Sequence, residues 1–232
     1  MEGAGRPPKH TGLPGPGSVA SATSELLRDS EFRSEYFDTL YSWGKSLVYA
    51  SLIGVSVGLV VGWFPLLSKA FTLPMHLCRS VPSTTLIPIA IVLFGLGSMM
   101  KVVIVTYAMS WLIVVNTIYG VQSVDRMTVQ AARAMRFRQW DTFKLVLLPS
   151  AAPTILTGIR VAAGVGFVVT LGAELLGATT GVGTLMLSYQ NAERPNFVYA
   201  GVLLVAFTGM LINFAMQAAE RRITPWQRGR RQ

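Results

Sequence analysis

Four long stretches of the chain contain no charged residue. Residues 46–68, 80–100, 102–124 and 195–219 hold no Asp, Glu, Lys or Arg, and the shortest covers 21 residues. A helix needs about 20 apolar residues to cross the hydrocarbon layer of a membrane. Charged residues make up 13% of the chain, whereas about 25% is usual for a soluble domain. These features predict an all-α, polytopic membrane protein and exclude a soluble enzyme, a disordered chain and, with one cysteine, a disulfide scaffold.

The apolar segments predict five transmembrane helices, at roughly 46–64, 81–97, 101–119, 155–177 and 197–219. In the first, Gly54, Gly58 and Gly62 recur at every fourth residue. Small residues on one helical face allow a neighbouring helix to approach closely, but ordinary membrane glycines would give the same pattern. In the second, Pro88 is expected to break or kink the helix, because proline lacks the backbone donor.

The composition divides the remainder of the chain. Residues 1–23 are expected to be a flexible Gly/Pro-rich terminus, and 24–44 one or two short amphipathic helices at the membrane interface. The transmembrane domain is placed at 45–220, with a polar loop at 122–153, and a basic tail follows at 221–232.

The net charge of +9 is distributed as in a membrane protein. Five Lys/Arg residues lie in the central polar loop and five arginines in the tail. Positive charge collects in cytoplasmic loops, so both segments are predicted to lie in the cytoplasm. This distribution does not favour nucleic-acid binding. Five helices then place the amino terminus outside, and the odd number suggests that one preceding helix is missing.

The chain shows no motif for catalysis. It lacks the Gly-x4-Gly-Lys-Ser/Thr phosphate loop, and its two histidines and single cysteine form no metal-binding pattern. We therefore expect no enzyme activity, cofactor or metal. Two charges interrupt the fourth apolar segment, Arg160 and Glu174. Charges at membrane depth are costly. They are expected either to act at the inner mouth and outer gate, respectively, or to anchor the two ends of the helix.

The polar loop predicts two short helices, at 128–135 and 138–148. Pro149 is expected to close the second, and Pro153 to prevent its extension. Trp140 and Phe143 share its apolar face. That face requires a partner or the membrane surface, and the spacing alone leaves both open.

The stretch from Gln130-Ala131-Ala132 through Val146 to Leu148-Pro149 resembles a cytoplasmic loop of ABC importer permeases. The pattern of that loop is Glu-Ala-Ala, three residues, Gly, nine residues, Ile, one residue, Leu-Pro. Here Ala131, Ala132, Leu148 and Pro149 match, Val146 replaces Ile, Gln130 replaces Glu and Arg136 stands at the Gly position. Flanking segments such as Pro149–Pro153 and Gly181-Val-Gly183 are similar to permeases of the nitrate, sulfonate and taurine type. The resemblance covers about residues 12–222.

The resemblance implies a six-helix permease core, here without its first helix, and cytoplasmic coupling helices that dock in a groove of an ATPase subunit. Arginines of the loop would pair with acidic residues of the ATPase, and the aromatic side chains would either insert into it or anchor the loop on the membrane. The implied coupling residues are Gln130, Ala131, Ala132, Arg133, Arg136, Arg138, Trp140, Phe143, Leu148 and Pro149. The candidate pathway or gate residues, taken from their positions in the apolar segments, are Glu174, Arg160 and Pro88. Glu174 would help to form the outer gate or contact a solute-binding protein.

The partners implied are two ABC ATPase subunits, an extracytoplasmic solute-binding protein, membrane lipid and a second permease, expected to be a copy of this chain. The cargo implied is a small anion such as a sulfonate, taurine or nitrate. Two alternatives remain from the residues alone: an ion-gradient-driven secondary transporter and a non-transport membrane scaffold.

Overall fold

The computed structural model describes residues 15–225. These residues form ten α-helices and no strand, with a 3-10 turn at Ser83–Leu86 and a π-helical turn at Phe143–Leu147. The helices are α1 Pro16–Arg28, α2 Ser30–Trp63, α3 Pro65–Ser80, α4 Ile87–Phe94, α5 Ser98–Gln122, α6 Arg126–Ala134, α7 Gln139–Thr142, α8 Leu148–Leu176, α9 Val182–Asn191 and α10 Pro195–Ile223.

Four helical runs are long and apolar enough to cross a membrane: α2, α5, the run Gln139–Leu176, and α10. The helices α3 and α4 together form a fifth candidate, which is bent by 77° at the break between them. The prediction of an all-α polytopic membrane protein is therefore confirmed, with up to five crossings among the described residues.

The glycine stripe of α2 packs directly against α5. A Cβ atom on Gly54 would lie 2.7 Å from Ile113 Cβ, and one on Gly58 would lie 2.5 Å from Thr117 Cβ. Real Cβ atoms do not approach this closely, so the two backbones meet where side chains would keep them apart. The glycines are thus packing residues, which resolves the alternative that the sequence left open.

The third central helix is α8. Buried side chains from α2, α5 and α8 form one cluster around Ala50, Met109 and Ala162. The indole of Trp43 on α2 donates a hydrogen bond to the Ala163 carbonyl at 3.0 Å. A second cluster joins α1, α9 and α10 through Leu26, Val182 and Ala200 and lies beside the first.

The amino-terminal expectations differ from the structure. Residues 1–14 lie outside the described part, but 16–28, predicted to be partly flexible, form α1 with Val19, Ala22 and Leu26 buried. Residues 30–44 are not separate short helices, because they continue without a break into the first transmembrane helix. Their polar side chains find partners inside the bundle, where Lys101 pairs with Asp38. Of the predicted tail, 226–232 also lie outside the described residues.

The second predicted transmembrane helix is also different. The break lies at Val81–Pro82, and Pro88 sits in the first turn of α4. A first-turn N–H has no helical acceptor, so proline is tolerated there without a kink. Residues 65–80, which lie between the first two predicted transmembrane helices, form α3.

Candidate functional site

The segment between α5 and α8 begins with a well-capped helix. The Asp125 side chain accepts a hydrogen bond from the Met127 backbone N–H at 2.9 Å, which satisfies one of the free donors at the start of α6. Gln130, Ala131 and Arg133 are exposed on α6, while Ala132 is buried. The family-like residues on this helix therefore lie mostly on its free side.

The turn after α6 explains how Arg136 replaces a glycine. Its φ is 60°, the left-handed conformation that glycine adopts without strain. The Arg136 N–H donates to the Arg133 carbonyl at 2.9 Å, and the Phe137 N–H donates to the Ala132 carbonyl at 3.1 Å. This pair of bonds is the Schellman motif. The turn is thus the one that glycine would make, with a non-glycine residue in the strained position.

The two aromatic residues of the segment have different surroundings. Trp140 and Phe143 stack at 5.4 Å between ring centroids, and Lys144 Nζ lies 5.0 Å from the Trp140 ring. Phe143 also makes an edge contact with Trp63 at the end of α2, at 5.3 Å. Trp140 remains 63% exposed. Phe143 thus anchors the segment to the bundle, and Trp140 presents its ring outward.

The two prolines do not end the second helix as expected. A π-helical turn at Phe143–Leu147 joins α7 to α8, so a single helical run extends over Gln139–Leu176. The Leu148 N–H bonds back to the Phe143 carbonyl, five residues earlier, and Pro149 follows in the first turn of α8. The π-helical turn changes the backbone hydrogen-bond pattern immediately before Pro149, which has no N–H to donate. Pro153 then lies inside α8.

The exposed residues of this segment include both apolar and cationic side chains. They form what we call the coupling surface, defined by Met127, Arg133, Met135, Arg136, Arg138 and Trp140, all of which are exposed. Flexible methionines and an exposed tryptophan among cations are typical of docking surfaces.

A buried cluster of charges lies at the other end of α8. Lys101 is fully buried and holds Asp38 at 2.7 Å and Glu174 at 3.0 Å. Its third hydrogen bond goes to the Thr180 carbonyl at 2.9 Å. The lysine thereby connects α2, α5, α8 and the loop before α9.

The loop before α9 wraps around the Glu174 carboxylate. The Gly183 N–H and the Thr39 hydroxyl each donate to it at 2.9 Å. Gly181 has a φ of 119°, and a Cβ there would lie 2.1 Å from the Glu174 Oε1 atom. Only glycine fits this position. Glu174 is 1% exposed, so its carboxylate is enclosed by these groups and is not accessible at the protein surface.

Sequence reasoning missed Lys101 and Asp38. Lys101 was expected only to begin the third transmembrane helix, whereas it is the central cation of the cluster. A signal did exist, since Lys101 is the single charge between the charge-free stretches 80–100 and 102–124. Its partners lie 63 and 73 residues away in sequence, and no local pattern identifies them.

Arg160 also has an acidic partner. It donates to Glu220 on α10 at 2.9 Å, and the Thr157 hydroxyl donates to the same carboxylate at 2.9 Å. The last turns of α10 therefore lie beside the first half of α8. Glu174 and Arg160, which share one helix, belong to separate ionic contacts. Among residues 15–225, no group of three or more His, Cys, Asp or Glu side chains is arranged to hold a metal ion.

Long apolar helices with an exposed, cationic segment between them define a polytopic membrane protein. The match to known proteins agrees: the model of the family described as "binding-protein-dependent transport system inner membrane component" matches residues 50–229. The chain belongs to this family of ABC importer permeases.

Relatives with named cargo are of the taurine, sulfonate and nitrate type. The chain is 31% identical to the taurine transport system permease protein TauC of Escherichia coli K12 over 78% of its own length and 66% of that protein. It is 25% identical to a putative aliphatic sulfonates transport permease protein of Bacillus subtilis 168, over 94% and 79% of the two chains. It is 26% identical to the nitrate import permease protein of Leptolyngbya laminosa, over 90% and 78%.

Solved structures show the same fold. A chain of the MetNI methionine ABC transporter in an inward-facing conformation aligns with a TM-score of 0.71 at 21% identity, covering 81% of this chain and 94% of that one. A chain of a bacterial alginate ABC transporter, in complex with a pentasaccharide-bound periplasmic protein, aligns with a TM-score of 0.71 at 14% identity, covering 89% and 87%.

Proposed function

We propose that this permease forms the pathway for a small anion, of the sulfonate, taurine or nitrate class, and couples its import to ATP hydrolysis by a separate subunit. Two ATPase subunits bind one face of a permease pair, which consists of two copies of this chain, and a solute-binding protein delivers the anion at the other face. The named relatives support the cargo class.

The coupling surface is the observation that carries the ATPase assignment. It includes three exposed arginines and an exposed tryptophan whose ring is contacted by Lys144, on a segment that matches the permease loop pattern. An aromatic anchor with cations nearby suits a groove with an acidic rim on the partner. The ring supplies buried apolar area, and the cations orient the two proteins as they bind.

The proposed orientation places the coupling surface in the cytoplasm. The Arg160–Glu220 pair holds the end of α10 beside the first half of α8, so the coupling surface and residues 221–225 lie towards the same side of the bundle. Both are rich in arginine, and positive charge favours the cytoplasmic side. The Lys101 cluster then lies towards the outside.

Binding of the ATPase subunit tests this function. The permease is assembled with its cognate ATPase in lipid nanodiscs, and the dissociation constant is measured for Trp140→Ala. We expect a weakening of about 30-fold, which corresponds to roughly 2 kcal/mol for an aromatic anchor. Phe207→Ala, which removes an aromatic ring of similar exposure from α10, is the matched control and should bind normally. Equal affinity for both variants, or uptake that persists without ATPase and follows an ion gradient, would contradict the proposal.

The proposed gate lies at the buried cluster. Glu174 connects α8 to α2, to α5 and to the start of α9, so opening of the pathway towards the outside has to change these contacts. Arg160 orients α8 at the inner mouth, and Pro88 lies in the outer half of the pathway. Glu174→Gln keeps the shape but removes the charge that faces Lys101. We expect transport in reconstituted vesicles to fall while ATPase binding is kept, and unchanged transport would refute the gate role.

A further inference from the structure

The helix α3 carries a cationic face that forms no ion pair among the described residues. Lys69, Thr72, His76 and Arg79 fall within an arc of about 80° at 100° per residue, and all four are exposed. The ion pairs among the described residues join Lys101 to Asp38 and Glu174, and Arg160 to Glu220, so none involves α3. The helix itself contains no Asp or Glu.

The contacts of α3 show that it runs along a membrane-crossing helix. The Gln122 side chain donates to the Ser68 hydroxyl at 2.6 Å, the Phe71 and Trp111 rings stack at 6.3 Å, and the Tyr107 hydroxyl donates to the Cys78 carbonyl at 3.0 Å. As α3 advances, its partners on α5 run backwards from 122 to 107, a distance of about 22 Å. The helix therefore lies antiparallel beside α5 and not flat on the membrane interface.

The three faces of α3 have different surroundings. Phe71 and Met75 pack towards α5. A second face carries exposed leucines, Leu66, Leu73 and Leu77, and suits lipid. The cationic face does not suit lipid, because charges at membrane depth require water, a counter-charge or a polar cavity.

A cavity of about 160 Å³ adjoins the cationic face, between α3 and the end of α5 that leads to the coupling segment. Its polar lining comes from Ser68, Thr72, His76, Tyr119 and Gln122. Such a volume is well above that needed for one water molecule. The lining includes no carboxylate, and the cations Lys69 and Arg79 share the helix face that brings Thr72 and His76 to the cavity, so this part of the protein favours an anion.

We propose that the α3 face formed by Lys69, Thr72, His76 and Arg79, with the adjoining cavity, is an anion-binding stretch of the transport pathway. It takes a small oxyanion, such as a sulfonate, after that anion has left the outer half of the bundle. This inference rests on the proposed anion transport and names the residues that receive the cargo.

Thiol labelling in the assembled complex tests the site. Cys78 is the single cysteine of the chain, and the structure uses its backbone carbonyl, so Cys78→Ser gives a suitable background. Into it we place Thr72→Cys on the cationic face or Leu73→Cys, its neighbour, on the leucine face. The probes are two water-soluble methanethiosulfonates of similar size, one ending in a sulfonate and one in a trimethylammonium group.

We expect the Thr72→Cys thiol to react from water and Leu73→Cys to be inert. At Thr72→Cys the sulfonate reagent should react faster than the cationic one. Adding Lys69→Gln or Arg79→Gln should lower that ratio about fivefold for each charge removed. Arg222→Gln, which removes an exposed cation from the end of α10, should leave the ratio unchanged.

An inert Thr72→Cys, equal labelling of Thr72→Cys and Leu73→Cys, or no preference for the anionic reagent would overturn the inference. ATPase activity of the same samples separates the two proposals. ATPase activity with the wrong labelling pattern removes this site only, whereas the expected labelling in samples whose ATPase activity does not depend on the permease keeps the anion site and removes the coupling function.

Discussion

Arg136 allows the backbone of the coupling segment to be tested separately from its charge. Its φ of 60° places a β-carbon where the following carbonyl crowds it, at a cost of about 1 kcal/mol that glycine avoids. Arg136→Gly and Arg136→Ala both remove the guanidinium group, but only glycine relieves the strain. Comparing these two variants isolates the turn, and comparing arginine with alanine isolates the charge.

The measurable quantity is the opening of the turn. Its two capping bonds, from the Arg136 and Phe137 N–H groups, break when the end of α6 frays, so hydrogen exchange of these amides reports the equilibrium. Relief of about 1 kcal/mol corresponds to roughly fivefold slower exchange in Arg136→Gly than in Arg136→Ala. The measurement is made by mass spectrometry on the permease in nanodiscs.

Affinity for the ATPase should fall in both variants, because both lose the charge of Arg136. The dissociation constant of the glycine variant should be at most a few-fold higher than that of the alanine variant. Exchange that is equal in the two variants, or slower with alanine, would show that the left-handed turn stores no strain, and the argument from φ would be refuted.

Two further predictions concern the bundle. Gly58→Ala should lower the free energy of unfolding by about 1–3 kcal/mol, because its new Cβ would lie 2.5 Å from Thr117 Cβ. The control is Gly44→Ala, on the same helix, where a new Cβ would meet nothing within 4 Å. Equal melting temperatures of the two variants in detergent would contradict close packing at Gly58. Lys101→Met should cost about 3–5 kcal/mol, because it leaves two carboxylates without their buried cation, and a folded variant of unchanged thermal stability would show that the cluster is not stabilising.

The membrane character of the fold was predictable because the solvent imposes it directly. Long charge-free stretches and positive loops reflect the cost of placing charge in lipid, and neither depends on distant contacts. The glycine spacing on α2 was equally visible, but its meaning was not, since the partner residues Ile113 and Thr117 lie on another helix. The structure was needed to identify the partner.

Helix ends were predicted less well, since local rules were overridden by packing. Pro149 and Pro153 predicted a stop, yet the π-helical turn before α8 allows the helix to continue. Residues 30–44 looked interfacial because they alternate charge with apolar side chains, whereas Asp38 and Thr39 bond to groups on other helices. A polar residue beside an apolar stretch marks an interface only when no buried partner exists.

The uninterrupted run Gln139–Leu176 connects the two regions that the sequence suggested as functional. Its α8 portion alone is 29 residues long, about 43 Å at 1.5 Å per residue, which matches the full thickness of a bilayer including the headgroups. Trp140 lies at one end of this run, while Glu174 lies in the buried cluster at the other. Both ends are held, by the Phe143–Trp63 contact and by Lys101. A displacement of Trp140 by a partner would reach the cluster through one helix and no loop, and the π-helical turn is where that helix changes its hydrogen-bond partners.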